Sequence, residues 1–258
     1  LGTDQGLRLA RSYGNCYYRV ANDQGAFCEF DRALAPGAEY AIDVTYEIDA
    51  SVPAPSAKVT HHEWLTPAEL ADLRAQWDAS GDTFVKGSGA ELVLTETGAA
   101  ARRAQVDTNP SDNSGYIMVD VTGTNPADLA AIGAEFDGEA GSTHEVRVGM
   151  RNEGPATIDW SWAGLPAAHV RVRLPEGVTA VTADKNCWLF DDTAGDYVCS
   201  HPSGRFPAGS EQFFDFTLRI DRKITNAAGL VTVNNKDFCE SCGADDNAAN
   251  DTARLLAN

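Results

Sequence analysis

Apolar and polar residues alternate along two similar stretches of the chain, residues 40–49 and residues 212–221. Alternation with a period of two places apolar side chains on one face of a β-strand and polar side chains on the other. We therefore predict a half-buried strand in each stretch. The residues predicted to be buried are Tyr40, Ile42, Val44, Tyr46 and Ile48 in the first, and Phe214, Phe216, Leu218 and Ile220 in the second.

The same alternation recurs elsewhere, and Pro, Gly, Asn and Asp residues separate the alternating stretches. Short strands joined by such turn residues are typical of an antiparallel β-sandwich. We therefore predict an all-β fold. The further predicted strands carry Val146, Val148 and Met150, then Val170, Val172 and Leu174, and then Ile117, Val119 and Val121.

One segment has a helical pattern. Thr66 precedes Pro67, and Glu69 stands three residues after Thr66, which is the arrangement of an N-cap, a first-turn proline and a capping box. An apolar stripe follows, formed by Leu70, Leu73 and Trp77. We predict a helical insert near residues 66–79. It is either a lid over a sheet edge or open core, or an elaboration that binds a ligand.

Six cysteines form three local pairs, and two of these pairs have the same spacing. Cys16 and Cys28 are 12 residues apart, as are Cys187 and Cys199, and an Asn precedes the first cysteine of each pair. A zinc site would need two close pairs that converge. We therefore predict disulfides Cys16–Cys28 and Cys187–Cys199, and a third between Cys239 and Cys242.

The cysteine spacing belongs to a longer internal repeat. When Cys16 is laid on Cys187, residues 6–16 align with 177–187, and after one inserted residue 40–49 align with 212–221. A repeat of this length fixes the domain count. We predict two domains, 1–122 with the helical insert and 123–258.

The alignment predicts that the first domain is incomplete. Residues corresponding to 142–171 have no partner in the first repeat, because Leu1 aligns with Val172. An open sheet edge favours pairing with an added strand. We expect a neighbouring protomer or an upstream segment to complete the first sandwich, with residues 53–84 as the only internal candidate.

An ordered set of short motifs resembles a known bacterial repeat. The motifs are Asn152-Glu-Gly-Pro155, Leu174-Pro-Glu-Gly-Val178, Asn186-Cys187 with Cys199, Pro207-Ala-Gly209 and Asp246-Asn-Ala-Ala-Asn-Asp-Thr-Ala253. They resemble the family catalogued as domain of unknown function eleven over residues 139–258, and the later half recurs from 6 to 121. The resemblance implies two tandem immunoglobulin-like antiparallel sandwiches in secreted or wall-anchored, actinobacterial surface proteins, with no catalytic residues.

The charge narrows the choice of partners. The 258 residues carry a formal net charge of -18, which opposes binding to nucleic-acid phosphates and to anionic lipid. No stretch approaches the roughly 18 apolar residues that span a bilayer. We expect an extracellular or cell-surface protein whose partners are proteins, namely neighbouring repeats or protomers, with no nucleic acid and no membrane insertion.

The residues suggest no catalytic centre. Neither a nucleophile elbow, a phosphate-binding loop, a zinc-protease motif nor a dinucleotide fingerprint is present. His61, His62 and Glu63 are adjacent, but neighbouring residues of an extended chain point to opposite sides. We therefore predict no catalytic residue, no cofactor and no metal ligand.

Two features leave ligand binding open. Asp and Asn cluster near Asp107 and near Asp245, which suits either calcium or turns whose side chains cap the backbone. Trp160, Trp162 and Trp188 suit either a carbohydrate platform or sandwich packing.

Three functions remain. The first is a non-catalytic structural spacer or adhesive module of a bacterial surface protein. The second is a subunit of an extracellular filament or particle assembled by donated strands. The third is an accessory module of a larger secreted enzyme.

Overall fold

The computed structural model describes residues 1–3, 6–20, 25–98, 109–233, 245 and 247–258. Strands predominate among the described residues, which contain one α-helix, and the sheets are mainly antiparallel. The predicted all-β class is therefore confirmed.

The chain forms two compact units. The first unit contains Leu1–Asp49 and Ser56–Thr122, and the second contains Ala50–Pro55 and Gly123–Asn258. Residues 50–55, which the sequence placed in the first domain, belong to the second unit. Asn125 explains this, because its Nδ2 donates hydrogen bonds to the carbonyls of Ala50 and Val52 at 2.9 and 2.6 Å.

The second unit has two large sheets around one core. The strands are β11 Leu129–Ile132, β12 Ala134–Phe136, β13 Thr143–Asn152, β14 Ile158–Asp159, β15 His169–Arg173, β16 Val178–Thr182, β17 Cys187–Leu189, β18 Asp196–Ser200, β19 Arg205–Phe206, β20 Glu211–Ile220, β21 Ala227–Thr232 and β22 Thr252–Ala257. One sheet has the order β11-β13-β20-β16 and the other β12-β22-β21-β15-β18-β17, while β14 and β19 form a separate pair. Among the described residues of this unit, β12 and β22 form the one parallel pair.

The core of the second unit joins both sheets. Val148 of β13 and Phe214 of β20 are completely buried, as is Val172 of β15 in the other sheet, and all three belong to one apolar cluster. The alternating residues of 212–221 are buried as predicted, since Phe214, Phe216, Leu218 and Ile220 all lie in this cluster.

The first unit consists of smaller sheets. Their strand orders are β1-β7-β10, β4-β3-β8, β2-β6 and β5-β9. The buried cluster of this unit is Tyr13, Cys16 and Leu92, with Ile42 and Val44 packed against it. The strands are β1 Gly2–Thr3, β2 Leu7–Leu9, β3 Cys16–Arg19, β4 Ala26–Cys28, β5 Glu39–Ala41, β6 Tyr46–Ile48, β7 Ala54–Glu63, β8 Phe84–Lys86, β9 Thr95–Gly98 and β10 Ser114–Asn125.

The two units pair their strands in the same register. β7 lies between β1 and β10 as β21 lies between β15 and β22, and individual residue pairs coincide under the sequence alignment. The internal repeat is therefore present in the strand pairing as well as in the sequence. The matching pairs are Cys16–Cys28 and Cys187–Cys199, Leu7–Ile48 and Val178–Ile220, and Gly2–Gly25 and Arg173–Asp196.

The predicted helix is confirmed as α1, Pro67–Ala79. Thr66 is its N-cap: the Glu69 N–H donates to Thr66 Oγ1 at 3.3 Å, and the Thr66 N–H donates to the Glu69 carboxylate at 2.7 Å. The choice between a lid and a ligand-binding elaboration stays a prediction. Trp77 packs on Phe27 and Phe84, whose strands belong to the sheet β4-β3-β8, so the helix covers an aromatic surface of that sheet.

The predicted strand over 40–49 is divided. Only β5 and β6 are strands there, and residues 42–45 between them are not part of a strand. β9 lies beside β5 where β13 lies beside β20 in the second unit, but this pairing ends at Ala41 and Thr95. Part of the missing strand is therefore supplied internally, from beyond residues 53–84.

Candidate functional sites

Both predicted repeat disulfides are present. Cys16–Cys28 joins β3 to β4, and Cys187–Cys199 joins β17 to β18, each between residues directly opposite one another. Cys16 and Cys199 are completely buried. Disulfides persist in oxidising compartments, so these two bonds indicate a non-cytoplasmic protein. Cys239 and Cys242 lie outside the described residues.

The two adjacent histidines lie in β7 and have different surroundings. The His61 ring is 5.0 Å from the ring of Tyr116. The His62 ring instead lies against Gly115, where it occupies the space that a side chain at this position would need. Among the described residues, no group of three His, Cys, Asp or Glu side chains is placed to hold a metal ion.

The Asp and Asn residues near Asp245 form a hydrogen-bonded cluster. Asn247 and Asn250 each donate a side-chain N–H to the carboxylate of Asp128, at 3.0 and 2.8 Å. Asp245 accepts the backbone N–H groups of Leu129 and Asn247. These carboxylates bind amide donors, which is the turn-capping arrangement.

The corresponding loop of the first unit is smaller in the described residues. Asn109 donates its side-chain N–H to Asp112 at 3.1 Å, just before β10 begins. Asp107 and Asp246, which the sequence grouped with these clusters, lie outside the described residues. The contacts of Asn109 and Asp112 are again those of a capped turn.

The segment that carries Trp160 and Trp162 is not extended. Ser161–Ala163 is a 3-10 helix, so the extended geometry that would place Trp160 and Trp162 on one face is absent there. Trp160 packs against the main core, while Trp188 on β17 is half exposed. The side chain of Trp162 lies outside the described part of the structure.

A buried ion pair is the strongest polar contact that sequence reasoning missed. Arg171 donates from Nε and Nη2 to the two carboxylate oxygens of Asp196, at 2.9 and 2.8 Å. Both residues are only 8% exposed, and the guanidinium lies 4.0 Å from the centre of the Phe190 ring. Arg171 alternates with Val170 and Val172 along β15, and the position of Asp196 on β18 gives it a buried partner.

Two histidines of the second unit were also missed. Burial lowers the pKa of His169, whose Nδ1 lies 2.7 Å from the hydroxyl of Ser200. Burial also lowers the pKa of His201, and the carbonyl of Ser203 opposes that shift. Both residues are therefore held toward the neutral form.

The first unit contains a cleft of about 310 Å³, lined partly by Ala26, Tyr18 and Arg11. Ala26 aligns with Tyr197 of the second unit, whose ring packs edge-on against Phe216 at 5.5 Å. The first unit therefore has a small side chain at the cleft, at a position where the second unit has a packed aromatic ring. The repeat alignment contains this difference, because it places Ala26 at the position of Tyr197.

No protein-family model matches the chain, and no curated protein matches it. The resemblance to the bacterial repeat family therefore depends on its motifs alone. Among the described helices, none is both long and apolar enough to cross a membrane.

Proposed function

We propose that the chain is a non-catalytic spacer or adhesive module of a bacterial surface protein, built from two immunoglobulin-like repeats of the family it resembles. The observation that carries the proposal is the repeated ladder, in which both units hold a disulfide at the same register. A covalent bond within each repeat stabilises a fold in an environment without chaperones. The net charge of -18 keeps neighbouring molecules apart in solution.

Stability under reducing conditions tests whether the two disulfides stabilise the fold. Opening a loop of this size costs on the order of 3 kcal/mol in the chain-entropy model. We expect reductant to lower the unfolding temperature and to make the chain sensitive to protease. A reduced chain that is as stable and as protease-resistant as the oxidised chain would contradict the proposal.

Cell labelling tests the location. Antibodies raised against the folded chain should label intact cells of the source organism, and permeabilising the cells should add little signal. Labelling that appears only after permeabilisation would place the protein inside the cell and overturn the proposal.

A second function is favoured by the open edge of β6. β6 pairs with β2 on one side and with no described strand on the other, whereas the corresponding part of β20 pairs with both β16 and β13. An unpaired edge accepts a strand from another chain. Light scattering over a range of concentrations separates the two functions, because a spacer stays monomeric and a strand-donated filament grows.

A further inference from the structure

The second unit contains a template for what the open edge of the first unit can bind. β13 pairs with β20 in antiparallel register, with Arg147 opposite Asp215 and Val146 opposite Phe216. The alignment places Asp43 at the position of Asp215, and Val44 at that of Phe216. The first unit therefore repeats one side of this pair without the other.

The backbone on that side of β6 is directed outward. In the second unit, Ile220 donates its N–H to the carbonyl of Ser142, on the side where β13 lies. Its counterpart is Ile48. On the opposite side, Ala10 donates to the Thr45 carbonyl and Asp49 donates to the Gly6 carbonyl. Because the direction alternates along a strand, Val44, Tyr46 and Ile48 present their backbone groups to the open edge.

The side chains agree with this arrangement. Leu218 and Ile220 are 0% and 2% exposed, whereas their counterparts are Tyr46, which is partly buried, and Ile48, which is 40% exposed. An added strand would cover these apolar side chains on its inner face. Burial of apolar surface and new ladder hydrogen bonds would both favour its binding.

The charges define the outer face of the added strand. Arg147 forms an ion pair with Asp215 at 3.1 Å in the second unit. The first unit also has an acidic residue at this position, Asp43. Glu47 lies on the same face, where the second unit has Arg219, but its carboxylate is already paired with Arg8 at 3.0 Å, so Asp43 is the acid that defines the charge preference. A partner strand with an arginine on its outer face therefore fits, and an acidic one does not.

We propose that Val44–Ile48 is an acceptor edge for an antiparallel strand of a separate protein, with apolar residues facing inward and an arginine opposite Asp43. The open edge of β6 is the same one that favours the second proposed function, but here the added strand comes from a separate protein and not from another copy of this chain. The binding mode is β-augmentation, in which main-chain hydrogen bonds supply affinity and alternate side chains supply selectivity.

A peptide with the sequence of residues 142–148 is a direct probe, because these residues fill the corresponding place in the second unit. The rest of β13 corresponds to the position beside β5 that β9 already occupies. We expect saturable binding of one peptide per chain, measured by fluorescence anisotropy. Asp43→Arg should weaken binding about threefold to fivefold, and a peptide with Glu in place of Arg147 should then bind this variant better than the original peptide does. Asp72→Arg on the exposed helix surface is the matched control and should change little.

N-methylation of the peptide tests the backbone contact without altering the protein. The even-numbered residues of β13 face β20, as the bond from the Asn152 N–H to the Ser210 carbonyl indicates. Methyl groups on the nitrogens of His144 and Val146 should reduce binding more than tenfold, whereas methyl groups on Glu145 and Arg147 should be tolerated.

Absence of binding by the parent peptide, or equal binding of the two methylated peptides, would overturn the inference. So would a chain that dimerises through this edge and does not exchange its partner for the peptide. None of these results affects the reduction and labelling experiments, so failure here is distinguishable from failure of the spacer proposal.

Discussion

Asn15 binds the backbone of Leu92 in both directions. Its Nδ2 donates to the Leu92 carbonyl at 3.1 Å, and its Oδ1 accepts the Leu92 N–H at 2.7 Å. Leu92 is 4% exposed and belongs to the core cluster of the first unit. The Asn15 side chain, next to Cys16, thus holds the segment around Leu92 in place. The repeat motif did not indicate this contact.

We predict that Asn15→Ala destabilises the first unit by about 1–3 kcal/mol, because it leaves two buried backbone groups without partners. Asn186 is the matched control. Its side chain donates only to the nearby Asp184, at 3.0 Å, and Asn186→Ala should cost less. Urea denaturation of both variants measures the difference, and equal losses would contradict the role assigned to Asn15.

Local signals predicted their elements correctly. The capping box at Thr66 produced α1, and the alternation at Phe214 and Phe216 produced a buried strand, because these patterns depend on residues close in sequence or on a face that is buried.

Features that depend on a distant partner were not predicted. The strand over 40–49 is divided because β9 pairs only with its first part. Arg171 is buried with a partner because Asp196 of β18, which lies opposite Arg173, reaches its guanidinium. Alternation describes one strand at a time, so it cannot specify which strand lies beside it.

The Arg171–Asp196 pair should be costly to break. Asp196→Asn would leave a buried guanidinium without its counter-ion, which costs about 3–5 kcal/mol. The exposed pair Arg8–Glu47 is the comparison, since its side chains are about half exposed; Glu47→Gln should cost less than about 1 kcal/mol. Thermal unfolding of the two variants should differ clearly, and similar unfolding temperatures would show that burial of the pair contributes little.

Trp77 should anchor α1. Its ring lies 4.8 Å from the ring of Phe84 and 5.5 Å from that of Phe27, so Trp77→Ala should cost about 2 kcal/mol. Thr66→Ala should cost about 1 kcal/mol through loss of the N-cap. Asp72→Ala, on the exposed surface, is the control. Limited proteolysis reports on helix release, and unchanged cleavage in the Trp77 variant would contradict the anchoring role.

The stability of the second unit should depend on pH through His169 and His201. Burial lowers both folded-state pKa values below the ordinary value of 6.5. As pH falls through 6.5, the unfolded chain therefore binds protons before the folded chain does. This favours unfolding, so the stabilisation is complete above pH 6.5 and decreases below it.

Urea denaturation at pH 7.5 and pH 5.5, followed through the amide NMR signals of β15, measures this dependence. The hydrogen bond from Arg219 lowers the pKa of Asp221 from its ordinary value of 3.8, so this carboxyl group titrates well below this range. Replacing both histidines with glutamine should flatten the dependence between the two pH values, with each single variant intermediate. If the double variant loses as much stability at pH 5.5 as the original chain, the dependence arises from other groups, and the buried imidazoles at Ser200 and Ser203 do not set it.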